Sequence, residues 1–190
     1  MKKSTVVITV ILILAVVGVV GVYAVLTGRA KANADNAVMT PVQLVLSRDL
    51  SMEYPGTVKE VVKYYTEIEK CFCNEDCTEE EIEQLGLRAR ELFDDELKEA
   101  NEPEAYLTRL KADINAFKSD KRRISSVAVA ASTSVDFFSE DGFEFARIYC
   151  GYNVMSSSGK NSPQGRVFLL RRDENKRWKI YGWEAYKGNK

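Results

Sequence analysis

Histidine is absent from this chain of 190 residues. With it go the usual general base near neutral pH, the Ser-His-Asp arrangement and the commonest zinc ligand. An excess of either charge is missing too: 27 Lys and Arg stand against 28 Asp and Glu, a net charge of −1. A protein that grips nucleic acid through its phosphates needs a basic surplus, so that class is set aside. Cysteine is sparse, with four residues. Three of them, Cys71, Cys73 and Cys77, form a C-x-C-x3-C spacing that has no local fourth ligand for a soft metal. No metal set, cofactor motif or catalytic residue is assigned.

Charge is also missing locally. From Thr5 to Leu26 run 22 residues without a charged side chain, preceded by Lys2 and Lys3. As a helix this run spans roughly 33 Å, enough to cross about 30 Å of hydrocarbon. The expected organisation is a short cytoplasmic tail over 1–4, a transmembrane helix over 5–27, a small polar spacer over 28–39 and one domain over 40–190. Ala30-Lys31-Ala32 has the look of a cleavage site. The run is longer than the about 7–15 residues of a signal-peptide core, which favours a retained single-pass anchor. Lys2 and Lys3 nearly balance Arg29 and Lys31 across it. A very short basic tail usually stays in the cytoplasm, so the domain is expected to be extracytoplasmic.

What remains is ordinary in size for one hydrophobic core. Its charge is uneven: residues 51–120 hold 19 acidic and 9 basic side chains, residues 121–190 hold 7 and 13. Val42, Leu44 and Val45, after Pro41, form an apolar patch that ties the chain entry to the domain. Thr57 with Glu60 and Thr78 with Glu81 are capping boxes, each opening a helix. The first carries Val58, Val61, Val62, Tyr65, Ile68 and Phe72 at helical spacing, and the second Ile82, Leu85, Leu92 and Phe93. Asn101 caps a third, with Pro103 in its first turn and Tyr106, Leu107, Leu110, Ile114 and Phe117 on one face.

The period then changes to two. Val127 to Phe137 alternate apolar and polar as one strand. Asp141-Gly142 turns the chain into a second strand, Phe143 to Val154. A loop over 156–165 precedes a third, Arg166–Arg172, and a turn over 173–176 precedes the last, Arg177–Tyr186. Three helices followed by a four-stranded antiparallel meander is an α+β arrangement.

Two stretches carry a resemblance. Residues 90–97, Arg-Glu-Leu-Phe-Asp-Asp-Glu-Leu, are similar to the end of the second helix of the NTF2-like, cystatin-like superfamily. Residues 177–184, Arg-Trp-Lys-Ile-Tyr-Gly-Trp-Glu, are similar to its last strand. The resemblance implies a cone in which three helices pack on a curved four-stranded antiparallel sheet. The wider layout, with Tyr54-Pro55, Cys71, Tyr106 to Asp113 and Ile124-Ser125-Ser126, also resembles an uncharacterised family of N-terminally anchored proteins from Gram-positive Firmicutes of the Clostridia type. That family has no catalytic residues to carry over.

Function is therefore weighed by class. The favoured expectation is a membrane-tethered interaction or scaffold module, with a protein partner or a second copy of itself as its mate. Phe145, Tyr149, Trp178, Tyr181 and Trp183 are candidates for pocket or interface aromatics. Trp178 and Ile180 are expected on one strand face, Tyr181 and Trp183 on the other. A second reading is a small-ligand or enzymatic pocket, which needs an acid (Asp113, Asp136 or Glu184) beside a tyrosine (Tyr65, Tyr106, Tyr149 or Tyr181). A third is a component of a membrane-spanning secretion or conjugation assembly, on fold analogy alone. For Cys71, Cys73, Cys77 and Cys150, disulfides, free thiols and a metal site all stay open.

Overall fold

Among the described residues, three reciprocal capping boxes set where the first three helices begin. Thr40 with Gln43 opens α1 (Pro41–Ser47), Thr57 with Glu60 opens α2 (Val58–Asn74), and Thr78 with Glu81 opens α3 (Glu79–Glu91). In each, two amides that the helix leaves unpaired are satisfied by side chains three residues apart. Asp94 caps a short α4 (Asp95–Glu99), its carboxylate accepting from the Glu96 amide. Helix α5 (Pro103–Ser119) starts on a proline, whose missing N–H costs nothing there. Glu102, not Asn101, is its N-cap, and no side chain caps it.

The computed structural model describes residues 39–186. The tail over 1–4, the anchor expected over 5–27 and all but the last residue of the spacer lie outside the described residues.

The strands are β1 (Arg123–Val129), β2 (Asp136–Glu140), β3 (Phe143–Met155), β4 (Asn161–Arg172) and β5 (Trp178–Ala185). All pair antiparallel in the order β1-β3-β4-β5. Strand β2 shares with β1 the same edge of β3. β1 pairs with residues 150–155 and β2 with residues 143–147. Asp141 and Gly142, at φ 51° and 82°, make the tight turn between β2 and β3.

This corrects the expected fold. In place of three helices on a four-stranded cone, the described residues hold five helices and an open antiparallel sheet of five strands. None of these helices is long and apolar enough to cross a membrane. The extra strand arises because the alternating run from Val127 to Phe137 is interrupted. A 3-10 turn at Ser132–Ser134, closed by the Ser134 amide on the Ala131 carbonyl, divides it into β1 and β2. Small hydroxyl residues favour such turns, a preference that the alternation masks. The loop expected over 156–165 is also shorter, since β3 and β4 stay paired out to Met155 and Asn161. Pro163 is tolerated in β4 because β5 first pairs with that strand at Arg166, so no ladder bond is lost on that side.

Helix α2 lays one apolar face on the sheet, and α3 packs on α1, α2 and α5. Val61, Val62 and Ile68 of α2, Leu85 of α3 and Phe93 just beyond it share one core with Ile148, Phe168, Leu170 and Ile180, all fully buried. At about 1.5–3 kcal/mol per buried large side chain, this layer supplies the main driving force. One irregularity redirects the aromatic residues of the last strand. The β4–β5 register shifts between Leu169 and Leu170, so Tyr181 is an extra residue in β5. Beyond this bulge the alternation is reset. Trp183 therefore joins Ile180 on the core face against Tyr65, Phe93 and Phe168, and only Tyr181 turns the other way.

Candidate functional site

Between α2, α5 and the sheet lies a cleft of about 440 Å³. Helix α2 contributes Tyr65, Glu69, Phe72 and Cys73, α5 contributes Tyr106, Arg109, Leu110 and Asp113, and the sheet contributes Tyr152, Arg166 and Trp183. Glu69 falls four residues after Tyr65 and three before Phe72, so it sits on the apolar face of α2 and must point inward. Arg166 occupies the same strand face as Phe168 and Leu170. Each is a charge placed in an apolar register, and they find each other.

The Glu69 carboxylate is spent on both oxygens. Oε2 accepts from the Tyr152 hydroxyl at 2.6 Å, and Oε1 pairs with Nη1 of Arg166. The Arg166 guanidinium also lies over the Tyr152 ring, 4.9 Å from its centroid. The carboxylate is only 15% exposed, which makes leaving it unpaired costly. Burial opposes the charge on Arg166, but Glu69 and Tyr152 more than compensate and hold it protonated. Burial first, and then the charge of Glu69, push the Tyr152 phenol far above its ordinary range.

Two further hydroxyls border the cleft without a protein partner among the described residues, those of Tyr65 and Tyr106. Both stay protonated: burial raises Tyr65 well above its usual value, and burial together with Glu69 pushes Tyr106 up to about 12. Their rings pack around Phe93, with centroids 6.0 Å and 5.8 Å from it. The floor of the cleft thus offers hydroxyl donors set in an aromatic wall. Glu69 is fully occupied and is not placed as a free base.

The other singled-out residues are distributed as follows. Asp113, Tyr65 and Tyr106 come together on the cleft, as does Trp183. Asp136 pairs with Arg147 across the β2–β3 ladder at 3.3 Å, and Glu184 is exposed. Phe145, Tyr149 and Tyr181 share the opposite sheet face. There Phe145 meets Tyr181 edge-on at 5.6 Å, and Tyr149, 41% exposed, packs against Tyr186 at 4.9 Å. Trp178 lines a second groove, of about 340 Å³, with Phe137, Phe138 and Arg172.

The four cysteines are free thiols. Cys71 and Cys150 are buried, Cys73 borders the cleft, and Cys77 donates to the Cys71 carbonyl at 3.4 Å. Burial raises all four. Cys71 and Cys150 are pushed to about 11, and Cys73, which also feels Glu69, to about 12. A thiol held protonated is a poor nucleophile and a poor metal ligand.

A second charged network lies near the end of β4. Arg171 donates to Asp94 through Nε at 2.9 Å and Nη2 at 2.5 Å, and to Glu96 through Nη1 at 2.6 Å. Tyr181 completes it, its hydroxyl donating to Glu96 at 2.9 Å. The guanidinium is stacked between the Phe143 and Tyr181 rings, 4.8 Å and 4.9 Å from their centroids. Residues 92–94 run beside β5, with the Asp94 amide on the Ile180 carbonyl and the Ile180 amide on the Leu92 carbonyl, both at 2.8 Å.

Glu69, Arg166, Tyr152 and Arg109 are the cleft residues that sequence reasoning misses. A charge interrupting an apolar stripe is the signal that points to the first two. A family model described as a domain of unknown function, DUF6715, matches residues 1–183. No curated protein matches the chain.

Proposed function

The chain belongs to the DUF6715 family, a domain of unknown function, and we propose that its described portion is a small-molecule-binding domain. The observation that carries this is the cleft of about 440 Å³, in which two tyrosine hydroxyls without a partner among the described residues stand in an aromatic wall beside a mutually paired Glu69–Arg166–Tyr152 group. Binding sites of this kind fall at roughly 300–1,000 Å³ and are mostly apolar with a few placed polar groups. Shape comes from Phe93, Trp183 and Leu110, and orientation from the hydroxyls. Because Glu69 is already engaged at both oxygens, the arrangement supports recognition better than proton abstraction.

The test uses the full chain and two neutral aromatic probes, p-cresol and 3-phenylpropanol. Saturation-transfer NMR should show both in contact with the protein, and Leu110→Trp, which fills the cleft, should abolish the transfer. No transfer, or transfer unchanged in the filled variant, would overturn this reading.

The interaction-module reading draws on the other sheet face, where Phe143 and Tyr149 are exposed beside Tyr181. A position at the membrane surface is part of our proposal as well. It rests on the uncharged run from Thr5 to Leu26, and recovery of the full chain in the soluble fraction after lysis would refute it.

A further inference from the structure

We infer that the cleft takes a zwitterion, an α-amino acid with a bulky apolar side chain; this rests on the small-molecule reading above. Arg109 and Asp113 both line the cleft, four residues apart on α5. That spacing places them as neighbours one turn apart on the same wall. They nevertheless form no ion pair with each other, or with any other described residue. The order, cation nearer the helix N-terminus and anion nearer the C-terminus, is the less favourable one for an i,i+4 pair, because each charge then opposes the helix dipole. Arg109 instead donates through Nη2 to Asn101 Oδ1 at 2.8 Å.

Each of the remaining cleft charges has an opposite charge beside it among the described residues, although the buried Nε of Arg122 finds no hydrogen-bond partner. Glu69 holds Arg166, and Arg122 pairs with Asp120 at 2.9 Å. Among the described residues, one cation and one anion of the cleft are therefore left without an ion-pair partner, side by side, where the aromatic chamber meets solvent. A carboxylate alone would satisfy Arg109 and confront Asp113. An amine alone would do the reverse. An α-amino acid carries both groups on adjacent atoms and meets both at once, while its side chain enters the space bounded by Tyr65, Phe93, Tyr106 and Trp183. Discrimination against either single-charge analogue thus comes from repulsion as much as from attraction.

Four probes of one shape separate these claims: L-phenylalanine, 3-phenylpropanoate without the ammonium, phenethylamine without the carboxylate, and uncharged 3-phenylpropanol. In ligand-observed NMR titrations of the full chain, phenylalanine should bind about three- to tenfold tighter than either charged analogue, the scale expected of exposed charge pairs. Arg109→Gln should remove the preference over phenethylamine and keep that over 3-phenylpropanoate, and Asp113→Asn should do the converse. Both sites are exposed on α5, so folding is preserved. If 3-phenylpropanol binds as well as phenylalanine, or if the preference survives both variants, the zwitterion assignment is overturned while the cleft stands. If none of the four binds, the cleft reading fails with it.

Discussion

The two charged networks of this domain use the same three kinds of side chain and come to opposite ends. Glu69, Arg166 and Tyr152 sit at the edge of a cleft; Asp94, Glu96, Arg171 and Tyr181 sit where a chain segment crosses the end of β4. In the second, Arg171 spends three of its five N–H donors on carboxylate oxygens and both of its faces on aromatic rings. Every side chain of that network is engaged with another, and the network works as a clasp. In the first, one carboxylate is shared by one arginine and one tyrosine, while the neighbouring Tyr65 and Tyr106 hydroxyls have no partner among the described residues. The difference shows that composition does not separate a structural ion pair from a site. Neighbouring polar groups left wholly without a partner among the described residues, here the two hydroxyls, do.

The comparison can be strained in four ways. The largest effect is expected at the clasp. The Arg171 and Asp94 side chains are only 13% and 5% exposed, so Asp94→Ala leaves a buried guanidinium half-paired and removes the cap of α4. A loss of about 3 kcal/mol in urea-unfolding free energy is expected. A loss below about 1 kcal/mol would show that the clasp is ornamental.

Next comes Glu69→Gln, which keeps the shape but removes the charge shared by Arg166 and Tyr152. Arg166 is 35% exposed and can turn to water, so about 1–2 kcal/mol is expected, less than at the clasp. The reverse ranking in parallel urea titrations would invert the comparison.

Third is pH. The folded state holds Cys71 and Cys150 near 11 and Cys73 near 12, against an ordinary 9.0. These groups are raised by burial, so the unfolded chain loses its thiol protons first. The stability they contribute is complete below about pH 9 and drains away as pH climbs from there toward 11 and beyond. Thermal melts from about pH 8 to about pH 10.5 should fall steadily, and Cys73→Ala, which borders the cleft, should flatten the decline. A melting temperature level across that interval would contradict the burial.

The smallest effect is the sharpest. Tyr106→Phe removes a hydroxyl that no described residue uses, so stability should change by no more than about 0.5 kcal/mol. Tyr152→Phe, which strips Glu69 of its hydrogen bond, should cost about 1–2 kcal/mol. Equal costs would mean that the Tyr106 hydroxyl has a structural duty after all.

Much of the helical layer is legible because capping is local. Thr57 with Glu60 and Thr78 with Glu81 begin helices where the three-residue spacing puts them. Thr40, Pro41 and Gln43 carry the same signature for α1, but the apolar residues beside them dominate the pattern. Sheet errors share one cause: period-two alternation says which face a residue takes only while the register is unbroken. The turn at 132–134 and the extra residue at Tyr181 each break it, and neither break is written in the alternation itself. The cleft is least legible, since Glu69 and Arg166 are 97 residues apart and meet only through the sheet topology. Their trace is nonetheless present, as single charges standing in apolar rows.

The pairing of residues 92–94 with Ile180 has a consequence beyond tying down a segment. Strand β5 ends the ladder, and a terminal strand with bare amides and carbonyls is an invitation to a strand from another molecule. At Ile180 both backbone groups are already taken by Leu92 and Asp94. The segment thus acts as a guard rail against chain-to-chain sheet growth, and Arg171 is the bolt that keeps it in place.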